Sequence, residues 1–186
     1  MMTPVQSVLI RMRKSPVLLG AAIARMFMHV RMPEAALRQV QFFWREGLDK
    51  ETPVKTYSYR VHLSGKSDNP YAAMKTLKVI AEEKKETYLH FYTLSKEEIL
   101  VEDLLSSCEL TEEELRLREE ATDCLKEGNS WEIRKWVTHC PTVLEKIPPT
   151  QRTPTFCLTS SAESKDLSEF VGTLGEIILS TVWSSP

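Results

Sequence analysis

The segment Ile99–Leu105 places two adjacent carboxylates, Glu102 and Asp103, between two short apolar segments. Apolar segments separated by a tight turn are typical of a β-hairpin. A two-residue hairpin turn normally contains Gly or Asn, because its residues adopt positive φ, so Glu-Asp is an unusual choice for stability alone. Neighbouring carboxylates also repel each other. The segment therefore predicts an antiparallel hairpin whose two carboxylates need a compensating cation or basic group.

Strand and helix patterns precede this hairpin. Pro16–Ile23 is a short apolar run that predicts a buried strand, and residues 25–30 predict a turn of helix. Residues 33–38 begin with Pro and an acid, which favours a short helix. Val40–Trp44 is β-prone, and Tyr57–Leu63 alternates apolar and polar residues with period two. Together these two segments predict a second hairpin.

Helical patterns flank the acidic hairpin. Pro70 opens a predicted helix that has one apolar face, formed by Ala73, Leu77, Ile80 and Ala81. After the hairpin, residues 111–114 form a predicted capping box, and Gly128 is the predicted end of the helix that follows. Trp131–Val137 predicts another strand, and the chain becomes irregular from Pro141 onwards.

The order of these elements predicts an α+β fold, in which helices pack on one face of an antiparallel sheet. A length of 186 residues fits one domain with a real core. We predict that residues 1–149 form this domain. Residues 150–186 are predicted to be an irregular, partly apolar C-terminal extension.

Charge is unevenly distributed, although the formal net charge is only −2. The first 66 residues carry 11 basic and 4 acidic residues, a balance of +7; the remainder carries 13 basic and 22 acidic residues, a balance of −9. A basic first third can lie near a nucleic-acid backbone. The simpler alternative is two solvated faces of opposite sign.

The cysteine pattern and the hydropathy of the chain indicate where in the cell the protein is expected. The four cysteines show no zinc-ligand spacing, which indicates reduced thiols in an intracellular protein. The longest apolar stretch, Val17–Ala24, is too short to span a bilayer, so no membrane partner is predicted. Residues 1–33 lack acids and are similar to a mitochondrial targeting segment. Because the same residues fit a strand and a helix, a cytoplasmic or nuclear location is preferred.

Several strings between Val17 and Pro149 resemble the palm of Bel/Pao-type retrotransposon reverse transcriptases. Residues 21–30 are similar to the family pattern A-D-I-x-x-M-F-x-x-V, which contains the first catalytic aspartate, and residues 100–105 are similar to Y-V-D-D-L-L. Residues 38–45 resemble the R-F-L-W block, and residues 62–72 resemble the template and nucleotide loop L-F-G-x-x-S-S-P-x-x-A. Residues 115–120 and 132–136 match the helix and strand that follow. Each string is short, but their order and spacing together are specific.

The resemblance implies a reverse-transcriptase palm with its fingers largely missing, and a site for two metal ions held by carboxylates. Ala22 stands at the position of the first aspartate, Glu102 replaces the second, and Asp103 is unchanged. The catalytic set is therefore a degenerate pair, Glu102 and Asp103, with Asp103 as the one remaining metal ligand of an incomplete site. The resemblance assigns nucleotide contacts to Phe27, Gly65 and Lys135.

These substitutions predict a degenerate or domesticated reverse transcriptase-like fragment that does not catalyse polymerisation. No cofactor is expected, and magnesium would be needed only if activity remained. An unidentified protein partner is one expectation. A nucleic-acid-binding remnant is the first alternative, based on the basic first third and on Phe42, Phe43 and Trp44. A residual polymerase, in which Glu34 or another acid replaces the lost aspartate, is the second.

Each assigned residue also has a simpler interpretation. Phe27 can be a core residue, Lys135 a solvated strand residue, and Glu102-Asp103 a tolerated polar turn. Trp44 and Trp136 are interpreted as packing residues.

Overall fold

A computed structural model describes residues 5–12, 14–97, 99–138 and 140–153. Most of the predicted C-terminal extension thus lies outside the described residues. The α-helices of the described part are α1 Val5–Met12, α2 Asn69–Glu83, α3 Leu89–Glu97, α4 Thr111–Asn129 and α5 Pro141–Lys146. Its strands are β1 Val17–Ala24, β2 Gln41–Trp44, β3 Lys55–Ser58, β4 Ile99–Leu100, β5 Asp103–Cys108 and β6 Glu132–Thr138. Short 3₁₀ segments cover Met26–His29, Glu34–Val40 and Pro149–Gln151.

A four-stranded sheet has the strand order β4-β5-β1-β6, and each neighbouring pair is antiparallel. β1 and β4 are therefore parallel to each other with β5 between them, and β5 and β6 are parallel with β1 between them. Two β-α-β units are thus interleaved, which is the split βαβ arrangement. The predicted α+β class with an antiparallel sheet is confirmed.

The main core lies between this sheet and the helices. One face of β1 contributes Leu19, Ala21 and Ile23, and residues of α2, α3 and α4 cover them. Each fully buried large apolar side chain contributes roughly 1.5–3 kcal/mol of transfer free energy. The indole of Trp131 is fully buried, and its Nε1–H donates to the carbonyl of Met26 at 3.0 Å. The N–H group of this buried ring therefore has a hydrogen-bond acceptor.

The opposite face of the sheet is partly covered by α1. The hydroxyl of Ser107 donates to the carbonyl of Arg11 at 3.2 Å, and Ser107 pairs with Leu18, whose side chain points away from the main core. Val8 and Leu105 are also buried on this side. The prediction that helices pack on one face only is therefore wrong for α1. Two-sided burial also explains why Val17–Ala24 is almost continuously apolar.

Helix α2 follows its predicted pattern, since Ala73, Leu77, Ile80 and Ala81 are all buried. The predicted limits of α4 are wrong in detail. The residue before the helix is Leu110, which offers no side-chain cap, and the Thr111 hydroxyl lies 3.7 Å from the Cys140 sulfur instead of closing a capping box.

The C-terminal end of α4 also differs from the prediction. The helix continues through Gly128 and ends at Asn129, and the next residue, Ser130, adopts the left-handed conformation with φ of 54°. A Cβ atom at position 128 would clash with Cγ2 of Ile80. Glycine is therefore needed for close approach of two helices and not for a helix cap.

The second hairpin, β2–β3, forms a separate two-stranded sheet. Its second strand is Lys55–Ser58, so the predicted strand Tyr57–Leu63 is placed too late; Val61 makes only an isolated bridge to Arg31. Helix α5 occupies a segment that was predicted to be irregular. Helix α3 occupies a segment for which the sequence predicted no helix or strand.

Helix α3 depends on a contact from α4. The Glu120 carboxylate accepts the backbone N–H groups of His90 at 2.9 Å and Phe91 at 3.1 Å, and it also contacts the His90 imidazole at 2.7 Å. These N–H groups belong to the first turn, where a helix has no internal acceptors. A side chain 30 residues away therefore acts as the N-terminal cap of α3.

None of the helices in the described ranges combines the length and the apolar character needed to cross a bilayer.

Candidate functional site

The acidic hairpin closes one residue earlier than predicted. Leu100 pairs with Asp103, so the two-residue turn consists of Val101 and Glu102, and Asp103 is the first residue of β5. Val101 has φ of 56°, the left-handed region that a β-branched residue rarely adopts. This conformation costs about 1–2 kcal/mol for an L-residue. The turn is therefore strained at the residue that precedes the two carboxylates.

The register of the sheet places Ala22 directly opposite Asp103 on the neighbouring strand β1. Directly opposed residues point to the same face, with Cβ atoms about 4.5–5.5 Å apart. The N–H of Ile23 also donates to the carbonyl of Glu102 at 2.8 Å, which attaches the turn to β1. The first and last carboxylate positions implied by the resemblance are thus neighbours across two strands, although they are about 80 residues apart in the sequence.

Lys135 reaches the same cluster from the other side of β1, because β6 contains a bulge. Gly20 pairs with Val137 while Ala22 pairs with Arg134, so two residues of β6, Lys135 among them, oppose one residue of β1. Lys135 has φ of 54°, the left-handed conformation found in one class of β-bulge. Its ammonium charge lowers the pKa values of both Glu102 and Asp103. Lys135 is therefore the basic group that partly compensates the carboxylates.

The positive charge of Lys135 compensates the two carboxylates only in part. The Asp103 side chain is almost buried, with 6% of its surface exposed, and burial together with the Glu102 charge raises the pKa of Asp103 to about 6 despite Lys135. Burial also raises the pKa of Glu102. An ionised carboxylate in a poorly solvated position needs a close cation or hydrogen-bond donors. The cluster therefore retains excess negative potential when both groups are ionised.

These residues do not fit a pair of magnesium ions. Two-metal chemistry needs several carboxylate oxygens at fixed positions, and Ala22 contributes none. Lys135 supplies a positive charge beside the two carboxylates that remain. In the ranges that the structure describes, no group of three or more His, Cys, Asp or Glu side chains is arranged to hold a metal ion.

Phe27 and Gly65 are the remaining predicted site residues. Phe27 is half-buried and packs on the main core, which agrees with its simpler interpretation. Gly65 lies in the turn that leads into α2 and has φ of 93°, while a side chain at this position would meet nothing within 4 Å. Its conformation, and not the approach of a neighbouring group, requires glycine here. The structure thus brings together Ala22, Glu102, Asp103 and Lys135.

An aromatic surface covers one face of the β2–β3 hairpin. It consists of Phe42, Trp44, Tyr57 and Tyr59, which alternation places on the same side of the two strands. The ring of Phe42 lies 5.8 Å from that of Tyr57 and 4.6 Å from that of Tyr59, measured between centroids. Trp44 is 58% exposed, so its interpretation as a packing residue is wrong, whereas Trp136 is fully buried as predicted. Phe43 is 79% exposed on the opposite face of the hairpin.

Three features of the carboxylate cluster were not anticipated from the sequence. These are the strained conformation of Val101, the bulge at Lys135 and the direct pairing of Ala22 with Asp103. The adjacent acids were the only local signal, because a bulge or a register between distant strands leaves no mark in the residues themselves.

Compared with models of known protein families and with curated proteins, the chain shows no significant match to any. The resemblance to Bel/Pao reverse transcriptases therefore stays an expectation based on the motifs described above.

Proposed function

We propose that this chain is the palm region of a Bel/Pao-type reverse transcriptase whose carboxylate site has degenerated, and that it does not catalyse polymerisation. One observation carries the proposal: Ala22 is the direct cross-strand partner of Asp103. An aspartate at position 22 would lie at the distance from Asp103 that carboxylates sharing a cation require. Alanine leaves this position without a ligand atom.

The neighbourhood of Asp103 supports the same proposal. Its buried carboxylate, the strained turn at Val101 and the bulge at Lys135 concentrate at the same place in the sheet. Backbone strain and perturbed carboxylates cluster at functional sites more than elsewhere. We expect such a cluster, with one metal ligand missing, where a former catalytic site has lost its activity.

Restoring the missing ligand tests the proposal. Primer extension by the natural chain should be absent with magnesium or manganese. In the Ala22→Asp, Glu102→Asp double variant, manganese should bind and raise the melting temperature, since a third carboxylate completes the set. The Ala22→Asn, Glu102→Asp variant is the matched control, because asparagine has nearly the same shape as aspartate at the same position but carries no negative charge.

Two results would contradict the proposal. Metal-dependent primer extension by the natural chain, abolished by Asp103→Asn, would show a live polymerase. Equal manganese binding by the Ala22→Asn, Glu102→Asp control and the restored variant would show that a carboxylate at position 22 does not complete a metal site with Asp103.

A second candidate function is binding of single-stranded nucleic acid, and the aromatic surface of β2–β3 favours it. Exposed aromatic rings stack on bases, and each stacked base contributes about 1–3 kcal/mol. Lys55 lies opposite Trp44 on this surface, although its ammonium group is already paired with Glu46 at 3.0 Å. Stacking, more than charge, would therefore provide the affinity.

Phe43 provides a matched control for this candidate, because it is an exposed aromatic residue on the opposite face of the same strand. Fluorescence anisotropy with a labelled oligothymidine should show binding that weakens about tenfold or more in Trp44→Ala and little in Phe43→Ala. Binding should also weaken as salt increases. Equal losses in both variants, or no binding at moderate salt, would exclude the aromatic surface as a binding site.

A further inference from the structure

A groove of about 470 Å³ lies between α2 and the edge strand β4. Met74, Ile99 and Leu100 contribute to its apolar lining. Tyr71 and Val79 of α2 also line it, and they are 62% and 46% exposed. Exposed apolar side chains beside an edge strand are characteristic of an interaction surface.

The charged residues of the groove restrict what can cover it. Among the described residues, four charged side chains line the groove, all of them from α2: Lys75, Lys78, Glu82 and Glu83. Their formal charges cancel, but the lysines precede the glutamates along the helix. Within the described part of the chain, Lys75, Lys78 and Glu83 make no ion pair. Glu82 is bonded to Lys85 at 2.8 Å and not to Lys78, one turn away.

These side chains form two rows on the surface of α2. Residues spaced four apart along a helix form one ridge, and such ridges are the units of helix–helix packing. The first row is Tyr71, Lys75, Val79 and Glu83, and the second row is Met74, Lys78 and Glu82. Each row begins with an apolar residue, continues with a lysine and ends with a glutamate. The charge pattern therefore has the same direction in both rows.

This pattern is complementary to itself when two copies of α2 pack antiparallel. A two-fold axis beside Val79 places Lys75 of one copy level with Glu83 of the other, because both lie four residues from Val79. Lys78 and Glu82 lie one and three residues from Val79, so they come level to within about 3 Å. A parallel arrangement would instead place like charges beside each other.

We propose that α2 forms the interface of a symmetric dimer of this chain, with the two α2 helices antiparallel and the two-fold axis beside Val79. Each copy covers the groove of the other. A contact between identical surfaces requires self-complementarity, and the two rows provide it. An occupant with one sign of charge would face like charge over half of the groove. Because a contact between two helices of 15 residues is small, the dimer dissociates readily on dilution.

Sedimentation velocity of the full chain, between about 1 and about 300 μM, tests this proposal. The natural chain should pass from monomer to dimer within this range. Lys75→Glu, Lys78→Glu should raise the dimer Kd at least about tenfold, because glutamates then face glutamates across the interface. Lys50→Glu, Lys146→Glu is the matched control, since both lysines are exposed outside α2 and the net charge changes equally.

A complete reversal of the charges separates contact across the interface from a general effect of charge. Adding Glu82→Lys, Glu83→Lys to Lys75→Glu, Lys78→Glu inverts both rows and returns the net charge to its natural value. Opposite charges then face each other again, so the dimer Kd should return to within about threefold of that of the natural chain. The Glu82→Lys, Glu83→Lys variant alone should dimerise as weakly as Lys75→Glu, Lys78→Glu.

Carbodiimide coupling locates the interface without any substitution, because it joins lysines to glutamates that are in direct contact. Lys75 and Glu83 lie about 12 Å apart along their own helix, so a bond between them should form only between copies. In a mixture of isotope-labelled and unlabelled chains, this cross-link should join one of each. A chain that stays monomeric, a control that weakens the dimer equally, a charge reversal that does not restore it, or cross-links between copies only outside α2 would each overturn the proposal.

Discussion

Replacing Asp103 by asparagine should change how stability depends on pH, because the folded protein holds this carboxyl in an environment that disfavours its charge. Its pKa rises from an ordinary value of 3.8 to about 6 as a result of burial and the neighbouring Glu102. The folded state therefore binds the proton more tightly than the unfolded state. The free energy of unfolding must then decrease as the pH rises from about 4 through about 6.

The size of this decrease follows from the shift in pKa. A difference of about 2 pKa units corresponds to about 3 kcal/mol, which is an upper limit because Glu102 titrates in the same range. In Asp103→Asn this part of the pH dependence disappears. The buried amide adds its own cost of roughly 1–3 kcal/mol at every pH, so the diagnostic quantity is the change in slope and not the absolute stability.

Urea denaturation of the natural chain and the variant at pH 4.5 and pH 7.5 measures this slope. The difference between the two proteins should shift in favour of the variant by up to about 2 kcal/mol between the two pH values, because the unfolded carboxyl is already mostly ionised at pH 4.5. Asp123→Asn is the control, because Asp123 is exposed on α4. A shift no larger than that of the control would show that the Asp103 carboxylate is well compensated, and the argument for an incomplete ionic site would fail.

Three other residues give further expected outcomes. Glu114 is fully buried, and burial raises its pKa to about 7, although the nearby Thr138 hydroxyl offsets part of the rise. Ionisation of Glu114 thus destabilises the fold as the pH rises from about 4.5 through 7. In the same denaturation assay, the free energy of unfolding of Glu114→Gln relative to the natural chain should be up to about 3 kcal/mol higher at pH 8 than at pH 4.5. A difference no larger than that of exposed Glu113→Gln would contradict this. Glu120→Ala should cost about 1–2 kcal/mol and increase amide exchange in α3, because two N–H groups lose their acceptor; the same effect in exposed Glu119→Ala would refute the capping role. Gly128→Ala should destabilise by about 1–2 kcal/mol in thermal denaturation, because the clash with Ile80 exceeds the gain in helix propensity. The Ile80→Ala, Gly128→Ala double variant should lose less than the sum of the single variants, and simple additivity would argue against that contact.

Much of the secondary structure was predictable from local patterns. The apolar run at Val17–Ala24, the buried face of α2 and the pair of strands around Glu102 and Asp103 all follow from residue periodicity. Periodicity works here because a strand or helix repeats its side-chain directions at a fixed interval. The predictions were weakest for short elements such as α3 and β3, because few residues carry their pattern and distant contacts such as that of Glu120 stabilise them.

The sequence by itself determined that the chain has an acidic hairpin, that position 22 lacks a carboxylate and that the fold mixes helices with an antiparallel sheet. Only the tertiary structure decided that Ala22 lies opposite Asp103, that a bulge brings Lys135 to the same cluster, and that Val101 adopts a strained conformation. The physical reason is that strand register and burial depend on packing between segments distant in the chain. The sequence shows which side chains can carry a charge, whereas packing determines how well water can solvate that charge.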